Sequence, residues 1–344
     1  MRKYLLLLGV GVLSFIGVYG EVFNNRPSRE EVERQLEDAE KTFNEAKEMF
    51  NPWYTGPLLA PSAHILPGGY VNLQPYLFMT DNYGVYTNSG KFEHVPNHLF
   101  TLNPLVAGIV GITHWMEATF QVQGIYNSQN GQSSINIGDL PIGLGFGLFA
   151  EKPYTPALLI SIQESFPTGK YQKLNPEKGG VDATGSGSYV TKISLNTSKI
   201  VWWWMATHPM AFRLSLTYGL PSNVHVKGFN TYGGGYGTNG TVHPGQTFGL
   251  DFGYEFSFNQ HWVAALDIVY NYGAKTTFSG YPGVDKNNAL ASVGSPFNEQ
   301  VSLAPAIEYN VNSNLGFIAG VWFSVWGRNS SSFVSGVVSV DYTF

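Results

Sequence analysis

From Tyr54 onward the chain keeps returning to one pattern, in which apolar and polar side chains alternate over long runs. In one run Phe248, Leu250, Phe252, Tyr254, Phe256 and Phe258 share a face, and Asp251, Glu255 and Ser257 share the other. In the next, Trp262, Ala264, Leu266, Ile268, Tyr270 and Tyr272 oppose Asp267 and Asn271. A period of two is that of a strand with two unlike faces. Charged residues make up only 12% of the 344, about half the usual share, while aromatic residues make up 15% and glycines number 40. Strands that show aromatics to one side and small polar groups to the other build transmembrane β-barrels. A soluble two-sheet sandwich of this size would carry more charge.

The alternation and its turns predict an all-β fold, an antiparallel transmembrane barrel of about twelve strands. They run near 70–80, 97–110, 115–128, 133–150, 154–166, 187–203, 209–221, 242–258, 261–275, 297–311, 314–327 and 331–344. Gaps after even-numbered strands are short. Most gaps after odd-numbered strands are long: 81–96, 167–186, 222–241 and 276–296. Short turns on the periplasmic side and long loops outside place both barrel ends in the periplasm.

A basic residue on the lipid face at the midplane costs about 2–4 kcal/mol, an acid less, so the charged faces are assigned to the interior. The candidate lumen-lining residues are Glu117, Asp139, Lys192, Arg213, Asp251, Glu255, Asp267, Glu308 and Asp341. Such an acid-rich lumen either favours cations and polar solutes or is a packed interior whose charges pair. Trp115, Trp262 and Trp202 to Trp204 fall beside short turns, where an interfacial girdle belongs.

The last strand carries Val338, Val340, Tyr342 and Phe344 on one face. Tyr342 and Phe344 are the expected assembly signal, read by the barrel assembly machinery. At the other end Arg2 and Lys3 precede an apolar stretch, Leu5 to Ile16, and the small residues Val18 and Gly20. This predicts a signal peptide over 1–20 and a location in the outer membrane of a Gram-negative-type bacterium, among its lipids. Without cysteine there is no disulfide or thiolate chemistry.

Residues 21–52 read as an acidic amphipathic helix in the periplasm, and 53–344 as the barrel. Ser28 and Glu31 form a capping box, and Val32, Leu36, Ala39, Phe43, Ala46 and Phe50 form a narrow apolar seam. The seam over 29–50 fits a rim contact, a plug in the lumen or an oligomerising coil. Outside this segment charge is nearly balanced, which argues against a nucleic-acid partner. His94 and His98 have metal-like spacing but no acidic or thiol partner nearby, and Gly233 to Gly237 lacks the ending of a phosphate loop, so neither a metal nor a cofactor is expected.

The strand Pro156 to Phe166 runs into Pro167-Thr168-Gly169-Lys170-Tyr171, and then into a loop with Gly179-Gly180 and Gly185-Ser186-Gly187. This segment resembles the outer-membrane family called MetA-pathway of phenol degradation. The resemblance implies a barrel that passes aromatic or other hydrophobic small molecules and is loosely similar to fatty-acid channels. The function expected is passive passage of a small solute, not catalysis. Two alternatives stand beside it: a closed structural or surface-interaction barrel, and a barrel phospholipase. The last needs Ser and His together on an outer face, whereas His114, His208 and His261 fall at turn ends.

Overall fold

The structure is a computed structural model that describes residues 28–49, 52–202, 204–205 and 207–344. The signal-peptide reading, Phe50 of the apolar seam and Trp203 of the girdle lie outside the described residues. The chain forms two compact units, Met1–Lys47 and Glu48–Phe344.

Among the described residues the first unit holds one helix, α1, Arg29–Glu48. Ser28 caps it, its Oγ accepting from the Glu31 backbone N–H at 3.1 Å, as the capping box requires. Arg29 pairs with Glu33 one turn on, at 2.7 Å. Leu36 and Phe43 of the seam are exposed.

The second unit is built on strands β1 (Val71–Tyr86), β2 (Phe92–Gly111), β3 (Met116–Gln129), β4 (Gln132–Ile137), β5 (Leu140–Phe149), β6 (Ala157–Phe166), β7 (Val190–Val201) and β8 (Met210–Pro221). There follow β9 (Val224–Lys227), β10 (Asn239–His243), β11 (Thr247–Ser257), β12 (Trp262–Gly273), β13 (Thr277–Tyr281), β14 (Asn298–Asn312), β15 (Leu315–Arg328) and β16 (Ser330–Thr343). Each barrel strand pairs antiparallel with its neighbour, and β1 pairs with both β2 and β16, which closes the sheet. Counting β4 and β5 as one strand broken at Gly138-Asp139, twelve strands make the barrel among the described residues. Phe344 takes part in the closure, exchanging both backbone hydrogen bonds with Val71 at 2.8 and 2.9 Å. No helix among the described residues is long and apolar enough to cross a membrane.

The alternation has a direct physical reading. On β12, Val263, Ala265, Asp267 and Val269 are buried, while Trp262, Ile268 and Tyr272 are exposed. On β16, Ser335, Val337 and Ser339 are buried, and Val338 and Tyr342 are exposed. The large apolar and aromatic side chains thus point outward, as lipid outside demands, and smaller side chains, apolar as well as polar, together with the acid Asp267 point inward.

One loop expectation fails. The chain over 81–96 is mostly strand: β1 continues to Tyr86 and β2 starts at Phe92, with an irregularity at Asn82/Gly84. Asn82 and Gly84 sit at the irregularity, and Asn88 and Gly90 lie in the tight turn between Thr87 and Lys91. His94 and His98 therefore lie on a strand. His98 contacts Asp81 at 3.0 Å, and no group of three metal-type ligands occurs among the described residues.

At the long-loop end the connections are not loose. β13, β10 and β9 form a separate three-stranded sheet. Val224, Val226 and Val242 make its small core, with Tyr171, Tyr232, Phe278 and Val293 packed against them.

Candidate lumenal site

The segment 53–69 crosses the inside of the barrel. It contributes no strand to the wall, so its backbone N–H groups need other acceptors. The wall supplies them. Thr55 N–H donates to Glu308 Oε2 at 2.9 Å, and Thr55 Oγ1 donates to Asn310 Oδ1 at 2.9 Å. Leu59 and Ala60 N–H donate to the two oxygens of Asp267, at 3.3 and 3.0 Å. Ala63 N–H donates to Ser198 Oγ at 2.8 Å, and Leu66 N–H to Glu117 Oε2 at 2.9 Å. The chain therefore runs as a chord from the β12/β14 wall to β7 and on to β3.

Trp53, in edge contact with His261 beside the β11–β12 turn, marks the entry. Gly69 N–H, bonded to Gly111 O at 3.0 Å, marks the exit. Both ends of the chord are at the short-turn end of the barrel.

The wall makes room for the chord by using small residues. A Cβ at Gly253 would stand 2.7 Å from Pro57 and 2.8 Å from Ala60, and one at Gly316 would stand 1.9 Å from Thr55 Oγ1. Leu58 fills the space left by Ala265, Ala304 and Ala306, against Ile318 and Val337. Ala63 packs on Ala157 and Leu159, with Ile65 against them. Beyond the chord a cavity of about 300 Å³ remains, lined by Leu59, Phe78, Thr80, Thr101, Asn103, Leu105, Ile125 and Trp322.

Several of the sequence-predicted residues meet here. Glu117, Asp267 and Glu308 hold the chord. Glu255, with no exposed surface, accepts from Arg213 Nε at 3.1 Å. Arg213 lies under the chord, 2.7 Å from where a Gly56 Cβ would be. Asp251 lies two residues along β11 from Gly253, and its Oδ1 is buried without a hydrogen-bond partner. Lys192 stands apart on β7, opposite Gln163 and Gly219. Asp341 accepts from Asn72 Nδ2 at 3.0 Å, next to the closing seam.

Asp139 has another task. It sits in the break between β4 and β5 and accepts from Gly169 N–H at 3.0 Å and from Ser186 N–H and Oγ, both at 2.8 Å. It thus clasps the loop 167–189 to the wall, helped by Thr168 Oγ1, which donates to Gly138 O at 2.7 Å, and by Asn127, which donates to Val181 O and Ala183 O. Lys170 pairs with Asp182 across the same loop. Burial pushes the Asp182 carboxyl up, but the Lys170 ammonium and the Asn175 N–H outweigh it and hold the group below the usual carboxylate range. The Pro-Thr-Gly-x-Tyr segment is therefore a loop clasp. Gly169 is required by close approach, since a Cβ there would be 2.6 Å from Thr184 O.

At the short-turn end the chord is pinned once more. His64 Nε2 contacts Glu151 Oε2 at 2.8 Å, and Lys199 Nζ donates to Glu151 Oε1 at 2.7 Å. Burial raises the Glu151 carboxyl, but His64, Lys199 and the Ile200 N–H together leave it below its ordinary value.

The sequence reading missed the chord altogether. Residues 53–69 have no periodicity, and three prolines break any pattern they could carry. A signal was nonetheless present on the wall: Gly253, Ala265, Ala304, Ala306, Gly316 and Gly320 are all small residues on the inward faces of adjacent strands. So much missing volume in one patch calls for something to fill it.

Fold and site together define the class, an antiparallel barrel of the outer-membrane type with an internal occluding segment. No family model matches the chain, and no curated protein matches it. Among solved structures it is similar to an outer membrane channel from Pseudomonas putida F1, with 11% identity and a TM-score of 0.64 over 83% of this chain and 100% of that one. It is more distantly similar to the translocator domain of the autotransporter NalP from Neisseria meningitidis, with 12% identity and a TM-score of 0.43 over 91% of this chain and 96% of that one. A deletion mutant of the TodX monoaromatic hydrocarbon channel gives 12% identity and a TM-score of 0.39 over 85% of this chain and 95% of that one. At these identities the first likeness is one of fold, and the other two carry no argument.

Proposed function

We propose that this protein is a passive outer-membrane channel for small solutes, closed in this state by residues 53–67. One observation carries the reading: the occluding segment is no part of the sheet. It is fastened by side-chain acceptors and apolar contacts, so it can leave while every strand pair stays intact. A solid structural barrel would gain nothing from a filler that is separable from its wall. The cavity beside the chord, with Phe78, Leu105, Ile125 and Trp322 around Thr80, Thr101 and Asn103, supports a solute with an apolar body. That agrees with the resemblance to the MetA-pathway of phenol degradation family, which we adopt as the finer assignment.

The same reading takes residues 1–20 as a signal peptide, α1 as periplasmic and the final Phe as an assembly signal. It is favoured over a phospholipase. A Ser–His pair does occur on the chord, Ser62 Oγ lying 3.1 Å from His64 Nδ1. However, Ser62 Oγ also accepts the His64 N–H at 3.0 Å, and the pair is exposed at the short-turn end, where His64 contacts Glu151, not on the lipid face.

The test is conductance in planar bilayers together with solute uptake into proteoliposomes, for the full chain and for Leu58→Asn, which puts an amide into the apolar seat of the chord. The variant is expected to conduct more and to admit small solutes faster. A folded barrel that stays silent in both forms would establish the closed structural reading instead.

A further inference from the structure

The chord leaves by vacating acceptors, and those acceptors determine what can replace it. With residues 53–67 withdrawn, the wall presents Glu117, Asp251, Glu255, Asp267 and Glu308. Arg213 is already committed to Glu255, and Lys192 is placed apart on β7. In the closed state three of these carboxylates are matched by backbone N–H groups of the chord. A peptide N–H carries only a partial positive charge, so opening leaves an excess of acid facing the lumen.

A second observation points the same way. Glu255 and Glu308 have no exposed surface, and their carboxyl groups lie within hydrogen-bond reach of each other, two acids sharing one spot on the wall, while Ser257 Oγ faces the Tyr54 hydroxyl at the start of the chord. Ser257 adjoins the acids, since it pairs with Val263, whose other neighbour is Glu308. Two buried acids held together are eased by a cationic donor between them, and withdrawal of the chord also takes Tyr54 away from Ser257 and leaves its hydroxyl unmatched. The donor need not be a metal ion, because no group of three metal-type ligands is close enough to hold one among the described residues. The rest of the lumen supplies the complement to the acids, with the apolar lining of the cavity on β1, β2, β3 and β15 and Leu59 of the chord facing it.

We propose that the seat of the chord is a selectivity site, and that the opened lumen passes small organic cations, apolar bodies bearing a protonated amine, in preference to neutral or anionic molecules of the same shape. The chord's N–H groups occupy the positions that the ammonium of the solute takes in transit. This rests on the channel reading and narrows it to one solute class. Acid rings that select cations in other pores work on the same electrostatics.

The experiment uses the full chain with the chord unseated in two independent ways, Leu58→Asn and Gly253→Val, each checked for a folded barrel by heat-modifiable migration. Bi-ionic reversal potentials are measured with benzylammonium chloride and with potassium benzoate, and proteoliposome uptake with benzyl alcohol. These three probes share one ring and differ in charge. The expected result is a benzylammonium permeability at least about tenfold above that of benzoate and uptake faster than that of benzyl alcohol. The preference is expected to fall to near unity when Glu117→Gln, Asp267→Asn and Glu308→Gln are added to Leu58→Asn. Equal or higher permeability for benzoate or benzyl alcohol would overturn the selectivity proposal and leave the channel reading standing. Folded variants that admit none of the three probes would overturn both.

Discussion

Removing the carboxylate of Asp267 should release the chord and leave the barrel closed as a sheet. Asp267 is fully buried, and its two oxygens accept from consecutive amides, Ala60 at 3.0 Å and Leu59 at 3.3 Å. A hydrogen bond to a charged acceptor contributes about 1.5–3 kcal/mol, the longer of the two at the low end, so Asp267→Ala should weaken docking by about 3–5 kcal/mol. That corresponds to roughly a hundredfold to several-thousandfold rise in the undocked population. The two amides that lose their acceptor are poor reporters, since they change whatever the chord does. Thr55 and Leu66 are better, because their acceptors, Glu308 and Glu117, are untouched. Amide hydrogen exchange at Thr55 and Leu66 should accelerate by that factor in Asp267→Ala. Asp267→Asn keeps one carbonyl acceptor and should show a smaller acceleration. The strand amides of β12 should keep their protection in both variants, because their partners are backbone groups of β11 and β14. If Thr55 and Leu66 exchange no faster while Leu59 and Ala60 do, the chord is held locally at each point and does not move as one element, and the reasoning fails.

Leu266→Arg or Phe252→Arg puts a cation on the lipid face and should cost about 2–4 kcal/mol near the midplane, whereas Asp251→Asn should be tolerated; heat-modifiable migration reads both, and the reverse order would invert the facing of every strand. Deleting Phe344 removes both backbone bonds to Val71 and the stacking on Tyr342, and should lower the amount of folded protein in the membrane of cells; undiminished levels would remove its role in assembly. Gly169→Val drives a side chain into Thr184 O and should free the loop 167–189, seen as new tryptic cleavage at Lys173 and Lys178, while conductance reports whether the loop also obstructs passage. Asp182 sits below its ordinary pKa in the folded protein, so its contribution to the clasp is present above the usual aspartate range and is lost as pH falls through the folded value; the protection of amides over 167–189, corrected for intrinsic exchange, should hold from pH 5 to 8 and fall only below the usual aspartate range.

How much of this was legible beforehand follows from which forces act locally. The strands were readable because lipid on one side and a polar interior on the other impose an alternation that each strand must show by itself. The ends of β8, β12 and β14 accordingly fall within a residue or two of their expected places. The stretch over 81–96 was misread because Gly and Asn signal a turn whether or not the neighbouring strands can absorb an irregularity, and here β2 and β16 can. The lumen was harder. Facing alone placed Asp267 and Asp139 in one list, yet one holds the chord and the other clasps a loop. The difference is decided by Leu59 and Ala60 in one case and by Gly169 and Ser186 in the other, each far away in the chain. The chord itself has no local signature, because its conformation is set by acceptors on the wall and not by its own side chains. Its imprint is in the wall instead, as glycine and alanine at inward positions beside carboxylates whose partners could not be found on neighbouring strands. Small inward residues together with unmatched inward acids thus specify a peptide lying across the lumen. The N–H donors of that peptide explain why a barrel can keep so many acids inside with so few bases to answer them.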